Sequence, residues 1–134
     1  MIMKYELPRR CRGAVAVEMA MTLPLLLFIV FASVEFGRMN VIRHSVDNAA
    51  YEAARKVIVP GSTAADADRE ARQLMNIVGA RGVTVQLTPA VIQLDTPEIT
   101  VEVSVRADQN GFIVPQFFGG KQLVGRCTLT RDTL

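Results

Sequence analysis

Charge, histidine and cysteine are all scarce in this 134-residue chain, and each scarcity removes a class of function. Charged residues make up 21% of the total and the net charge is only +2. Four of the cations, Lys4, Arg9, Arg10 and Arg12, precede Gly13 against a single acid, Glu6, so the rest of the chain is close to neutral. A nucleic-acid partner needs a basic face on a folded surface, and that charge is not available here. His44 is the only histidine, set between Arg43 and Ser45 in a helical stretch. It belongs to no nucleophile–base–orienter pattern and reads as a solvated helix residue, so the sequence predicts no enzyme. Cys11 and Cys127 form neither a CxxC pair nor a Cys/His cluster, which gives no metal site and no cofactor. Cys127 reads as a small buried apolar residue in a strand. Gly79-Ala80-Arg81-Gly82 and Gly119-Gly120 lack phosphate-loop spacing and read as turns. Internal repeats and low-complexity linkers are missing, and apolar residues are too abundant for a disordered chain.

Hydrophobic residues are plentiful at 50%, with a mean hydropathy of +0.26. One segment explains this. Ala14–Val34, AVAVEMAMTLPLLLFIVFASV, holds a single charge, Glu18. At about 1.5 Å per residue it makes roughly 30 Å of helix, the thickness of a bilayer's hydrocarbon core. Pro24 is compatible with that, since spanning helices tolerate proline. Arginines before the run predict a cytoplasmic N-terminus and a C-terminal domain on the far side of the membrane. Cys11 and Cys127 then lie on opposite sides and cannot pair. A removed secretory signal fits less well. The run exceeds a usual signal core, and Ala32-Ser33-Val34-Glu35 offers no clean small-x-small cleavage site.

Helical character continues beyond the run. Phe36, Met39, Ile42, Val46, Ala49, Ala50, Ala53 and Val57 recur at three- and four-residue steps, marking one face up to Pro60-Gly61. A second helix is predicted over Thr63–Val78, with Ser62 or Thr63 as N-cap and Asp66 closing a capping box. Acidic Asp66, Asp68 and Glu70 suit a helix start and read as solvated charges rather than a cation site. Alternation then predicts strands at Val83–Thr88, Ile99–Arg106 and Gln122–Arg131, with turns at Asp108–Gly111 and Gly119-Gly120. The fold class is α+β: a long N-terminal helix, a second helix, and a small antiparallel sheet of about three or four strands covered on one face. The chain divides into a leader (1–13), a transmembrane helix (14–34), an amphipathic extension (35–60) and an extracytoplasmic α+β domain (61–134).

Glu18 is the residue that carries chemistry. A charge near the middle of a spanning helix costs about 2.5–3.5 kcal/mol on insertion scales, less toward its edge. Either it snorkels to the cytoplasmic surface or it has a partner. The arrangement of basic residues, Gly13, Ala14-Val15-Ala16-Val17-Glu18 and an apolar helix resembles a class III (type IV pilin-like) leader. Arg12–Leu27, Val34–Arg38 and Asp47–Arg55 (DNAAYEAAR) further resemble the TadE-like pseudopilin family. That resemblance implies a minor pilin-like component of the tight-adherence (Flp, type IVc) pilus and secretion machinery in a bacterial inner membrane. It implies cleavage by a prepilin peptidase between Gly13 and Ala14, and assembly with other pilin-like subunits and the assembly platform. Glu18 then becomes fifth in the mature chain, one helical turn from a new amine at Ala14 and about 6 Å along the axis. Met19 stands where major Flp pilins usually carry tyrosine, and the chain is longer than those pilins, which favours a minor subunit. A signal-anchored binding module that is neither processed nor assembled is the alternative.

Overall fold

The computed structural model describes residues 10–92, 96–111 and 120–131, with side chains described from residue 13 onward. In chain order they form α1 (Arg10–Ile58), α2 (Ala64–Ile77), β1 (Val83–Thr88), β2 (Glu98–Arg106), a short 3-10 turn (Ala107–Gln109) and β3 (Gln122–Thr130). The class is α+β, as the patterning implies. Gly119 of the second expected turn lies outside the described residues, as do Lys4, Glu6 and Arg9 of the leader.

The chain divides into two units, Met1–Val34 and Glu35–Leu134. Described residues of the first belong to α1, which continues through Pro24. This helix is long and apolar enough to cross a membrane, with a mean hydropathy of 2.3 in its most apolar window and none of that window buried.

The second unit is built on the three strands, in the order β1-β2-β3 with both pairings antiparallel. Val83, Val85 and Leu87 of β1, Ile99, Val101, Val103 and Val105 of β2, and Leu123, Cys127 and Leu129 of β3 share one face by the period of two. Onto it pack Ile42, Val46, Ala49, Ala50, Ala53, Ala54 and Val57 of α1 and Ala67, Ala71 and Met75 of α2. The other face is polar: Thr100 and Thr128 hydroxyls bond at 2.8 Å, and Arg126 donates to Glu102.

Phe36 departs from the expected apolar face. It is 77% exposed, whereas its neighbour Glu35 is only 6% exposed. The helical period explains the exchange: Glu35 is seven residues before Ile42 and eleven before Val46, so it, not Phe36, lies on the core-facing row. Cys127 also differs from expectation. It is half-buried because β3 is an edge strand of the described sheet, and desolvation pushes its thiol pKa up. The turn expected at Asp108–Gly111 overlaps a 3-10 turn over Ala107–Gln109. Thr63 is the N-cap of α2, and β3 ends one residue earlier than expected, at Thr130.

Arg131 leaves the sheet to act on α1. Its Nε donates to the Ile58 carbonyl and its Nη2 to the Val57 carbonyl, each at 3.0 Å. These carbonyls belong to the last turn of the helix, where intrahelical donors have run out.

Candidate functional site

Gly13, Ala14 and Glu18 stand on one continuous helix and are exposed. A Cβ built on Gly13 meets nothing within 4 Å. Glycine in a helix interior costs roughly 0.5–1 kcal/mol relative to alanine, so the fold has no packing reason for glycine at this position. Four residues separate Ala14 from Glu18, which places them on the same side of α1. Among the described residues the Glu18 carboxylate makes no hydrogen bond or ion pair.

Other polar groups in the run are satisfied locally. Thr22 Oγ1 donates to the Glu18 carbonyl at 3.0 Å, and Ser33 Oγ donates to the Ile29 carbonyl at 2.8 Å. Hydroxyls that bond back to their own helix present no unmet donor to an apolar medium. Glu18 is therefore the polar group in the run that still needs something from outside. Around it, large apolar side chains from Val15 to Val34 are 43–76% exposed. That is far more contiguous apolar surface than a water-facing helix carries, and it requires lipid or other apolar helices.

Beyond Val34 the same helix carries a different set of features, all within the second unit. The alanines of DNAAYEAAR, Ala49, Ala50, Ala53 and Ala54, are fully buried. Small side chains there let the helix approach its neighbours closely. Gly125 of β3 lies close against α1: a Cβ there would lie 2.8 Å from the Asp47 backbone nitrogen, the Asp47 Oδ1 and the Val46 carbonyl carbon. Nothing in the alternation of β3 singled out Gly125, since a lone glycine in a strand pattern announces a bulge as readily as a close contact.

A polar knot ties α1 to two turns. Arg38 Nε donates to the Asn110 carbonyl at 3.0 Å and its Nη2 to the Gly79 carbonyl at 3.4 Å. Asn110 is buried, and its amide donates to the carbonyls of Arg81 (2.8 Å) and Arg106 (2.7 Å) while accepting from the Arg81 N–H at 2.7 Å. Glu35 and Arg38 thus both serve the second unit, one by burial and one by bonding to turn carbonyls.

Comparison with protein families gives one match. Residues 13–55 fit the family described as TadE-like protein. This segment is TadE-like. The TadE-like match starts at Gly13 and lies wholly within α1, so it takes in the Gly13-Ala14 junction, Glu18, the Glu35–Arg38 stretch and the buried alanines, but no strand. The family points to a minor pilin-like protein associated with the Tad pilus. Neither the curated proteins nor the solved structures provide a match.

His44 is exposed on α1. Among the described residues, no group of three His, Cys, Asp or Glu side chains is placed to hold a metal ion. At the start of α2, the Asp66 carboxylate accepts from the Thr63 N–H at 2.9 Å and from its hydroxyl at 2.8 Å. These bonds, with Arg69 and Lys56 as weaker contributors, hold the Asp66 pKa below the ordinary aspartate value.

Proposed function

We propose that this chain is a minor pilin-like subunit acting in assembly of a tight-adherence (Flp, type IVc) pilus or its associated secretion machinery. Its role is structural, not catalytic. The single observation that carries the reading is the TadE-like match over 13–55, which joins the Gly13-Ala14-to-Glu18 signature to an apolar helix in one segment. Ala14–Val34 anchors the chain once in the bacterial inner membrane, with the N-terminus cytoplasmic and the α+β domain outside. A prepilin peptidase cuts after Gly13. The place of Gly13 at the start of the TadE-like segment supports this, because glycine presents no side chain to a narrow protease cleft.

Cleavage creates an α-amine at Ala14, and that amine, in the same chain or a neighbouring subunit, is the partner of Glu18. An opposite charge compensates a carboxylate in a low-dielectric setting, whereas removing one member of such a pair costs about 3–5 kcal/mol. Glu18→Ala should therefore insert in the membrane as well as wild type and still be cut after Gly13, yet fail to cross-link to other pilin-like subunits and fail to restore piliation. N-terminal mass measurement alongside a complementation assay separates these steps. An intact Met1 in a host with active prepilin peptidase would return the chain to an unprocessed, signal-anchored binding module. Full piliation by Glu18→Ala would reduce Glu18 to a snorkelling surface acid.

A further inference from the structure

β1 and β3 are the two edges of the described sheet, and their outward backbone groups are treated differently. The Val83 carbonyl of β1 accepts from Arg72 Nη1 of α2 at 3.0 Å, which covers the start of that edge. β1 runs for six residues, and Pro89 follows it with no N–H to offer. β3 runs for nine residues, all in register with β2, with neither a proline nor a bulge. The Ala107 N–H donates to the Lys121 carbonyl at 3.0 Å and the Arg131 N–H to the Pro97 carbonyl at 2.8 Å, one bond beyond each end of that ladder. Both bonds join odd-numbered residues, so by the alternation of an antiparallel pair the odd residues of β3 bond to β2. Gln122, Val124, Arg126, Thr128 and Thr130 therefore direct their N–H and C=O groups to the open edge. No described residue bonds to these groups there. Arg126 is the single charge among the five, and Glu102 engages its side chain.

We infer that the open edge of β3 takes an added strand from a different protein chain, an extended segment with an acidic side chain near the start of β3. A long edge without proline, bulge or lysine is a template for another strand. In such additions main-chain bonds supply affinity, and pockets for alternate side chains supply specificity. The pocket here is a cavity of about 360 Å³ lined by Arg43 of α1 and by Gln122, Leu123 and Val124 of β3. Arg43 is exposed and forms no ion pair among the described residues, so a carboxylate entering the cavity meets an uncompensated cation. One turn further along α1, the Asp47 carboxylate lies beside Gly125. An acid is therefore favoured beside Gln122–Val124 and disfavoured just beyond it. A second copy of this chain fits less well. Antiparallel β3–β3 pairing with all the outward residues matched sets Arg126 opposite Arg126, and like charges directly opposite destabilise a sheet. Every residue of this surface belongs to the second unit, so the edge is open whether or not the chain is anchored in a membrane or built into a pilus.

The probe is a display library of random peptides of about twelve residues, long enough to span the nine-residue strand, selected on the full-length chain in mild detergent. Recovered peptides should alternate in polarity and share an Asp or Glu at one position. Arg43→Glu should lower their affinity about fivefold, the factor equivalent to roughly 1 kcal/mol for an exposed ion pair, and a Lys in place of the peptide's acid should restore it. Val124→Pro removes an outward N–H and leaves every bond to β2 in place, so it should weaken binding about tenfold while thermal unfolding changes little. N-methylation of a bound peptide should abolish binding at every second residue and be tolerated at those between. Methylation tolerated throughout, or a loss without that period, would overturn strand addition even if Val124→Pro does not fold. Affinity unchanged by Arg43→Glu would overturn the acidic occupant. A library yielding no peptide that binds more tightly than about 1 mM would overturn the site itself. Wild-type chain that dimerises with rising concentration, while Val124→Pro stays monomeric, would assign the edge to a second copy instead.

Discussion

Leu26 and Ile42 are large aliphatic residues on the same helix, yet Leu26 is 61% exposed and Ile42 only 1%. The first half of α1 is apolar on every side and packs on nothing within its own unit. The second half is apolar on one row and is the centre of a core. Helicity itself does not distinguish the two, since α1 runs unbroken through both halves. The difference lies in what surrounds them, so stability in water-facing terms belongs to one half only.

Substitutions of equal chemistry should separate the halves. Ile42→Ala removes a fully buried side chain and should cost about 2–5 kcal/mol of domain stability, whereas Leu26→Ala should leave domain unfolding in mild detergent unchanged. A comparable loss from both would mean that the two units unfold as one. The next effect sets one glycine against another. Gly125→Ala drives a methyl into the Val46–Asp47 backbone and should cost about 1–3 kcal/mol, while Gly37→Ala meets open space and should stabilise the helix by up to about 1 kcal/mol. Thermal unfolding of the two variants in parallel checks the sign as well as the size.

The smallest effect is at the start of α2. The Asp66 pKa is depressed in the folded state by the Thr63 bonds, so its contribution is present at neutral pH and is lost as pH falls through that depressed value, below 3.8. Asp66→Asn should be slightly less stable than wild type at neutral pH, and the gap should close on acidification. A gap that widens in acid would show that the carboxylate is not what holds the cap.

Much of this architecture was legible in the sequence because its signals are periodic. The alternation of Ile99, Val101, Val103 and Val105 marked β2, and the three-and-four spacing from Ile42 to Val57 marked the core row of α1. The Pro60-Gly61 pair marked the end of α1. What escaped were single-residue choices that depend on tertiary neighbours. Phe36 looked like a core residue by hydrophobicity, yet the row belongs to Glu35, a position that charge alone would assign to solvent. Gly125 and Asn110 were invisible for a related reason: each is explained by a segment remote in sequence, Val46–Asp47 for one and Arg38 with Arg81 for the other. The candidate site was legible differently. Gly13, Ala14 and Glu18 stood out by their spacing and by resemblance, and neither signal extends to the sheet, where the TadE-like match is silent.

Asn110 is followed by Gly111, the pairing in which an asparagine side chain is most readily attacked by the next backbone nitrogen and converted to aspartate or isoaspartate. In the folded domain that amide is buried and held by three hydrogen bonds to Arg81 and Arg106 backbone groups. Conversion would exchange a two-donor amide for a carboxylate facing two carbonyl oxygens, and the knot that binds both turns to α1 would turn repulsive. The chemical lifetime of the domain is thereby coupled to its folded fraction: each excursion that frees Asn110 exposes the chain to a covalent change from which the knot does not re-form.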